Sequence, residues 1–160
     1  MAKIAIEFLV DQRHAWDVAA QWLFETWYRA AGLGLPAAQF EIRQRLQADC
    51  FPLSLIALAD DLPVGMASLV FDLPPHGDRR LVFLAGVYVL PDWRKRGIGG
   101  RLCQRAMAEA RRLGLKSLAL YTPDRADFYR GLGWHEASVP EPLAGRRRET
   151  FMQRTVLGLS

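Results

Sequence analysis

Val87-Tyr88-Val89-Leu90-Pro91-Asp92-Trp93-Arg94-Lys95-Arg96-Gly97-Ile98-Gly99-Gly100 decides how this chain folds. An apolar strand ends at Pro91-Asp92-Trp93, and Arg-x-x-Gly-x-Gly then leads straight into a helix. Glycine at 97 and 99 lets backbone N–H groups approach a ligand without a side chain in the way. The first turn of a helix has unpaired N–H groups pointing the same way, and its dipole adds partial positive charge. Arg94, Lys95 and Arg96 raise the field further. Such a turn suits a diphosphate. Turn geometry alone would also ask for the glycines, so the position of the motif between strand and helix carries the reading. There is no Gly-Lys-Ser/Thr for a nucleoside triphosphate. The three-glycine spacing of a dinucleotide fold is also missing.

Reading outward, residues 81–90 are almost wholly apolar, as in a central strand covered on both faces. The helix over 97–113 faces Ile98, Leu102, Ala106, Ala110 and Leu113 inward, with Arg101, Arg105, Glu109 and Arg112 on the other side. Gly114 stops it. Strands are expected over 3–10, 53–59, 64–71, 115–121, 134–139 and 149–157. A long helix over 13–30 carries Trp16, Ala19, Ala20, Leu23, Phe24 and Trp27 at helical spacing. Gly32, Gly34 and Pro36 break it, and a second helix covers 37–48. Residues 73–80 form a loop, and a short helix opens at Asp124 and closes near Gly133. The order β-α-α-β-β-β-α-β-α-β-β predicts an α/β chain with a mixed sheet and helices on both faces. It is read as a single domain over residues 1–160.

Hydrophobic residues make up 51% of the chain, enough to build a packed core. No apolar run reaches membrane-spanning length, and the first residues lack a secretion signal, so a soluble cytoplasmic protein is expected. Cys50 and Cys103 are far apart, Cys103 on an apolar helix face, which favours free thiols over a disulfide. His14, His76 and His135 share no ligand spacing, so no metal is expected. The net charge of +4 is clustered at Arg79-Arg80, Arg94-Lys95-Arg96, Arg111-Arg112 and Arg146-Arg147-Arg148. That could attract nucleic acid, a polyphosphorylated ligand or an acidic acceptor. No nucleic-acid module pattern is present.

Arg94-x-x-Gly97-x-Gly99 after an apolar strand resembles the acetyl-CoA motif of the GNAT superfamily of N-acetyltransferases. Ala126-Asp127-Phe128-Tyr129-Arg130-Gly131-Leu132-Gly133-Trp134 is similar to that family's Phe-Tyr-x-x-Leu-Gly-aromatic segment. Phe151-Met152-Gln153-Arg154 is a weaker third match. The resemblance implies a GNAT-like fold and an enzyme with acetyl-CoA as co-substrate, an amine acceptor and no metal. The amides of residues 96–100, Ile98 and Gly100 included, would hold the diphosphate. The backbone of Val87, Tyr88 and Val89 would pair with the pantetheine arm. The Val87 N–H would polarise the thioester carbonyl. Tyr129 would be the general acid, with Phe128 beside it as packing and part of the coenzyme site.

Some members of that family carry a glutamate four residues before the oxyanion position; here that residue is Phe83. Glu25, Asp72 and His76 are undiscriminated candidates for a base. Without a base, an α-amine of pKa about 7.7–8.0 reacts more readily at neutral pH than a lysine of about 10.4. A peptide N terminus is therefore the expected acceptor. Residues 118–134 also resemble the branch containing the actin N-terminal acetyltransferase, which accepts acidic N termini. Arg79, Arg80 and Arg146–Arg148 could flank such an acceptor or be solvated loop charge. The alternatives are a small-amine acetyltransferase, aminoglycoside-like or polyamine, and a non-catalytic acyl-CoA sensor. The assembly is expected to be a monomer or homodimer.

Overall fold

The computed structural model describes residues 1–71, 81–138 and 149–156. Asp72, His76, Arg79, Arg80 and Arg146–Arg148 lie outside them. Seven strands form a sheet: β1 (Ile4–Phe8), β2 (Leu53–Ala59), β3 (Leu62–Phe71), β4 (Val82–Val89), β5 (Ser117–Thr122), β6 (His135–Glu136) and β7 (Thr150–Thr155). They lie in the order β1-β2-β3-β4-β5-β7-β6. β1 to β4 run antiparallel to their neighbours, β4 and β5 are parallel, and β7 is antiparallel to both β5 and β6. The helices are α1 (Trp16–Leu23), α2 (Leu35–Gln44), α3 (Ile98–Arg112) and α4 (Ala126–Gly131). The expected mixed sheet with helices on both faces is present.

Alternation along β2 divides the core into two layers. Leu53, Leu55 and Ala57 pack with Leu102, Ala106 and Ala110 of α3, while Ile56 and Leu58 pack with Ala19, Leu23 and Ile42 of α1 and α2. All seven residues of β2 are buried, its one polar side chain, Ser54, included, as in a central strand covered on both faces. Each fully buried leucine among them contributes roughly 1.5–3 kcal/mol relative to exposure.

Several boundaries differ from expectation for physical reasons. The helix expected over 13–30 is broken up: a 3-10 turn at Arg13–Ala15 precedes α1, and a π turn at Phe24–Tyr28 follows it. There the Arg29 N–H donates to the Phe24 carbonyl at 2.8 Å, an i→i+5 bond. The extra residue rotates the aromatic stripe. Trp22 is buried, whereas Trp27, expected inward, is exposed. Pro36 does not break a helix; it sits in the first turn of α2, where its missing N–H removes no bond. α4 begins after Arg125, not at Asp124, and the Arg125 N–H donates to Thr122 Oγ1 at 2.9 Å. The strand expected over 134–139 is formed only at His135–Glu136 among the described residues.

The arginines of α3, expected on a free face, lace the helix to the rest of the fold. Arg101 Nη2 and Arg105 Nη1 donate to the carbonyls of Ile4 and Ile6 at 3.1 and 2.6 Å, capping acceptors of the edge strand β1. Arg111 reaches the Val156 carbonyl and Arg112 that of Ala48. Glu109, buried, pairs with both Arg105 (2.9 Å) and Arg112 (2.5 Å). Among the described residues, no helix is long and apolar enough to cross a membrane.

Candidate active site

β4 supplies the centre of the site because its middle is irregular. Gly86 takes φ +61, and the register shifts opposite it: Ala85 faces Ser68, Tyr88 faces Met66, so Gly86 and Val87 together stand against Ala67. This is a glycine bulge, which bends the strand and leaves an extra residue outside the ladder. On its other side β4 shares one residue pair with β5, Phe83 with Ala119. Val87, Tyr88 and Val89 lie past that pair. They form a strand edge open toward β5, half-buried at all three positions.

The edge runs directly into the turn that the sequence singled out. A 3-10 turn at Pro91–Trp93 leads to Arg94 in extended conformation, then Lys95 at φ +62 and Gly97 at φ +80, and α3 begins at Ile98. Left-handed residues alternating with right-handed or extended ones aim successive N–H groups into one concavity. Among the described residues, its two chain neighbours aside, no atom lies within 4 Å of where a Gly97 side chain would begin. Arg94, Lys95, Arg96 and Gly97 are exposed, and Gly99 and Gly100 are half-buried.

Two of the three basic residues lie against aromatic rings. Arg94 folds back: its Nε donates to the Val89 carbonyl at 2.8 Å, and its guanidinium lies 5.7 Å from the centre of the Tyr88 ring. It thus occupies an acceptor that an added strand would use. Arg96 stacks over Trp93 at 4.7 Å.

α4 borders the turn. Phe128, expected to pack inside, is 37% exposed, with Cζ 3.5 Å from the side-chain position of Gly99. Tyr129 is the buried one, at 9% exposure, edge-on to Phe128 and Trp134 at 5.0 and 6.1 Å. Consecutive helical residues point about 100° apart, and the docking of α4 turns Tyr129 toward α3. Burial is the main cause raising the Tyr129 phenol well above its usual range; the Cys103 thiol adds to the rise and Arg125 opposes it. Tyr129 is therefore held neutral. Burial likewise pushes the Cys103 thiol up to about 12.

Phe83 is 5% exposed and stacks on Tyr121, with ring centres 5.6 Å apart and planes 7° apart, so an aromatic cluster fills the position of a carboxylate. Glu25 is exposed on the π turn and accepts from Gln21 Nε2 at 2.7 Å. Asp72 and His76 lie outside the described residues. His14 Nε2 is 2.9 Å from the Asp61 carbonyl, and His135 is exposed on β6. Among the described residues, no group of three His, Cys, Asp or Glu is placed to hold a metal.

One cluster escaped the sequence reading. Arg45, directly after α2, is 6% exposed; Nε contacts Glu41 Oε1 and Nη1 donates to Ser68 Oγ, both at 3.2 Å. Ser68 Oγ is 2.6 Å from Ser54 Oγ, its partner in the β2–β3 register. Burial, then Glu41, raises the nearby Tyr28 phenol, while Arg45 opposes the rise. The available signal was a serine interrupting each of two apolar strands, Leu53-Ser54-Leu55 and Ala67-Ser68-Leu69.

An open strand edge, an amide-lined turn and a helix N terminus in continuous sequence fit a long ligand with a diphosphate at one end. The model of the acetyltransferase (GNAT) family matches residues 8–134. Solved structures share the fold. An aminoglycoside 6'-acetyltransferase type Ii has a TM-score of 0.74 at 21% identity, covering 98% of this chain and 99% of that one. An aminoglycoside 6'-N-acetyltransferase complexed with coenzyme A has a TM-score of 0.71 at 18% identity, covering 98% and 99%. The N-acetylglutamate synthase from Neisseria gonorrhoeae, complexed with coenzyme A and N-acetyl-glutamate, has a TM-score of 0.69 at 17% identity. That match covers 99% of this chain but 36% of the synthase. No curated protein matches the sequence.

Proposed function

Because this chain belongs to the acetyltransferase (GNAT) family, we propose that it moves acetyl from acetyl-CoA to a primary amine, with an α-amine as acceptor. The observation that carries the reading is the continuity of the open β4 edge with the left-handed turn at Lys95 and Gly97 and the first turn of α3. The N–H groups of residues 96–100 would hold the diphosphate, with Lys95 and Arg96 adding field. The pantetheine amides would pair with Val87–Val89 as an added strand, displacing Arg94 from the Val89 carbonyl. Phe128, exposed over Gly99, would cover the bound arm.

In the reaction the amine nitrogen bonds to the thioester carbon and the carbon–sulfur bond breaks. The amine loses a proton to solvent, and the departing sulfur gains one. The Val87 N–H, in the bulge, would donate to the carbonyl oxygen as negative charge grows there; such a donor is worth roughly 10²–10³ in rate. Tyr129, kept neutral by burial, would supply the proton to sulfur. With Phe83 closed into an aromatic cluster, no carboxylate on β4 deprotonates the acceptor. The amine must arrive neutral, which favours an α-amine, such as a peptide N terminus, over lysine.

The same reading treats residues 1–160 as one catalytic domain working in the cytoplasm, as a monomer or homodimer. It gives nucleic acid no part, since Arg101, Arg105, Arg111 and Arg112 are engaged with backbone carbonyls. The test is coenzyme A release from acetyl-CoA across a panel of free N-terminal peptides, matched lysine peptides and small amines. Release that needs an amine separates an enzyme from an acyl-CoA sensor. Faster acetylation of lysine than of the α-amine would refute the acceptor class.

A further inference from the structure

Arg45 is a buried cation whose hydrogen-bonding capacity is only partly used. A guanidinium carries five N–H donors. One bond goes to Glu41 and one to Ser68, and the remaining donors have no protein partner among the described residues. Charge removed from water is expensive unless it is matched. Glu41 matches it incompletely, since its side chain remains 30% exposed and meets Arg45 through Nε alone.

The position of this cation is informative. Arg45 Nη1 lies 3.6 Å from where a side chain on Gly86 would begin. Gly86 directly precedes Val87, the residue assigned to the thioester carbonyl. The side chains of Val87 and Val89 pack into the α3 core, whereas Tyr88 joins the core of α1 and α2 and meets Trp22 at 5.3 Å. With α3, α4 and the amide turn on one face of the sheet, an acceptor reaches the thioester from the other face. Arg45 stands on that face, beside Gly86, the residue before Val87.

We propose that Arg45 binds a carboxylate of the acceptor, so that the substrate is an α-amine carrying a carboxylate a few bonds away. The planar fork of arginine suits a carboxylate better than any neutral group. Its place beside Gly86, 3.6 Å from where a side chain there would begin, suits a free amino acid, or the acidic first residue of a peptide, with the amine over the Gly86–Val87 bulge. This inference rests on the acetyl-transfer reading and sharpens its acceptor.

The experiment measures coenzyme A release by the full chain with four acceptors: leucine, leucinamide, an aspartyl tripeptide amide and its asparaginyl counterpart. Rates are referred to the neutral amine, because the carboxamide lowers the amine pKa. At least one carboxylate acceptor is expected to exceed its amide by roughly 10- to 100-fold in kcat/KM, the range of a charged hydrogen bond. Leucine leading identifies free amino acids; the aspartyl peptide leading identifies acidic N termini. Arg45→Gln should bring each pair to the same kcat/KM with KM for acetyl-CoA within about twofold, and Arg45→Lys should fall between. Equal use of carboxylates and amides by the wild type overturns the inference, whether or not the variants fold. So does an Arg45→Gln protein that keeps the preference, or loses both acceptors alike. Amine-dependent release without a carboxylate preference sinks this inference alone, and no binding of acetyl-CoA sinks the enzyme reading with it.

Discussion

Phe83 stands opposite Ala119, and this is the pair that the parallel strands β4 and β5 share. Everything assigned to acetyl transfer on β4 lies beyond it, at Val87–Val89, where the strand edge is open. The glycine bulge at Gly86 turns that edge just before the residue that must present an N–H.

The role of Val87 therefore belongs to its backbone. Val87→Ala should keep kcat within a few-fold, while Val87→Pro, which deletes the N–H, should lower kcat by roughly 10²–10³. A bulge tolerates proline better than a regular ladder position does, and circular dichroism checks that the sheet survives. Equal kinetics for the two variants would remove Val87 from the mechanism.

Tyr129→Phe should lower kcat by about 10²–10⁴, the range for a general acid. Stability and KM for acetyl-CoA should change little, because the ring contacts with Phe128 and Trp134 remain. A kcat within twofold of wild type would exclude the phenol as proton donor.

The pH profile follows from the same phenol. Its pKa is raised by burial, so the protonated, donating form persists to higher pH than a free tyrosine near 10 allows. The rate should climb through the acceptor amine's own pKa and then stay level to about pH 10, with no falling limb from Tyr129. Acceptors with different amine pKa values should move the climb accordingly. A rise at one fixed pH for every acceptor would point to a protein base instead.

The two glycines of the turn should fail differently. At Gly97, φ +80 makes alanine costly by about 1–2 kcal/mol, lowering Tm as well as acetyl-CoA affinity. At Gly99 a methyl would meet Phe128 Cζ at 3.5 Å, an ordinary contact. Gly99→Ala should thus fold normally yet raise KM for acetyl-CoA roughly tenfold, by holding the ligand off the amides. Thermal melts alongside KM measurements separate the two effects.

Cys103 gives the fold an alkaline weakness. Burial pushes its thiol up to about 12, from an ordinary value near 9.0. The unfolded chain therefore releases this proton from about pH 9, while the folded chain keeps it. Stability is intact below pH 9 and falls as pH rises toward 12. Between pH 8 and 10, urea denaturation should show wild type losing about 1.4 kcal/mol more than Cys103→Ala. Parallel losses would mean the thiol is not buried as described.

Local signals made much of this architecture legible. β2 occupies the expected residues 53–59 because its apolar run is flanked by clear breaks. The turn at 94–100 is legible because glycine in a left-handed conformation has few substitutes. Features set by docking between distant segments were hidden. Periodicity alone could not place a π turn at Phe24–Tyr28. It could not tell that α4 would bury Tyr129 and expose Phe128. Nothing local singles out Arg45 or shows what the arginines of α3 hold, because their partners Ser68, Ile4 and Ile6 lie between 23 and 99 residues away.

Calorimetric titration of the purified, folded protein with acetyl-CoA tests the central claim most directly. Binding is expected at one site per chain, weakening as salt screens the diphosphate from Lys95 and Arg96. A folded protein that takes up neither acetyl-CoA nor coenzyme A at millimolar concentration would contradict the account.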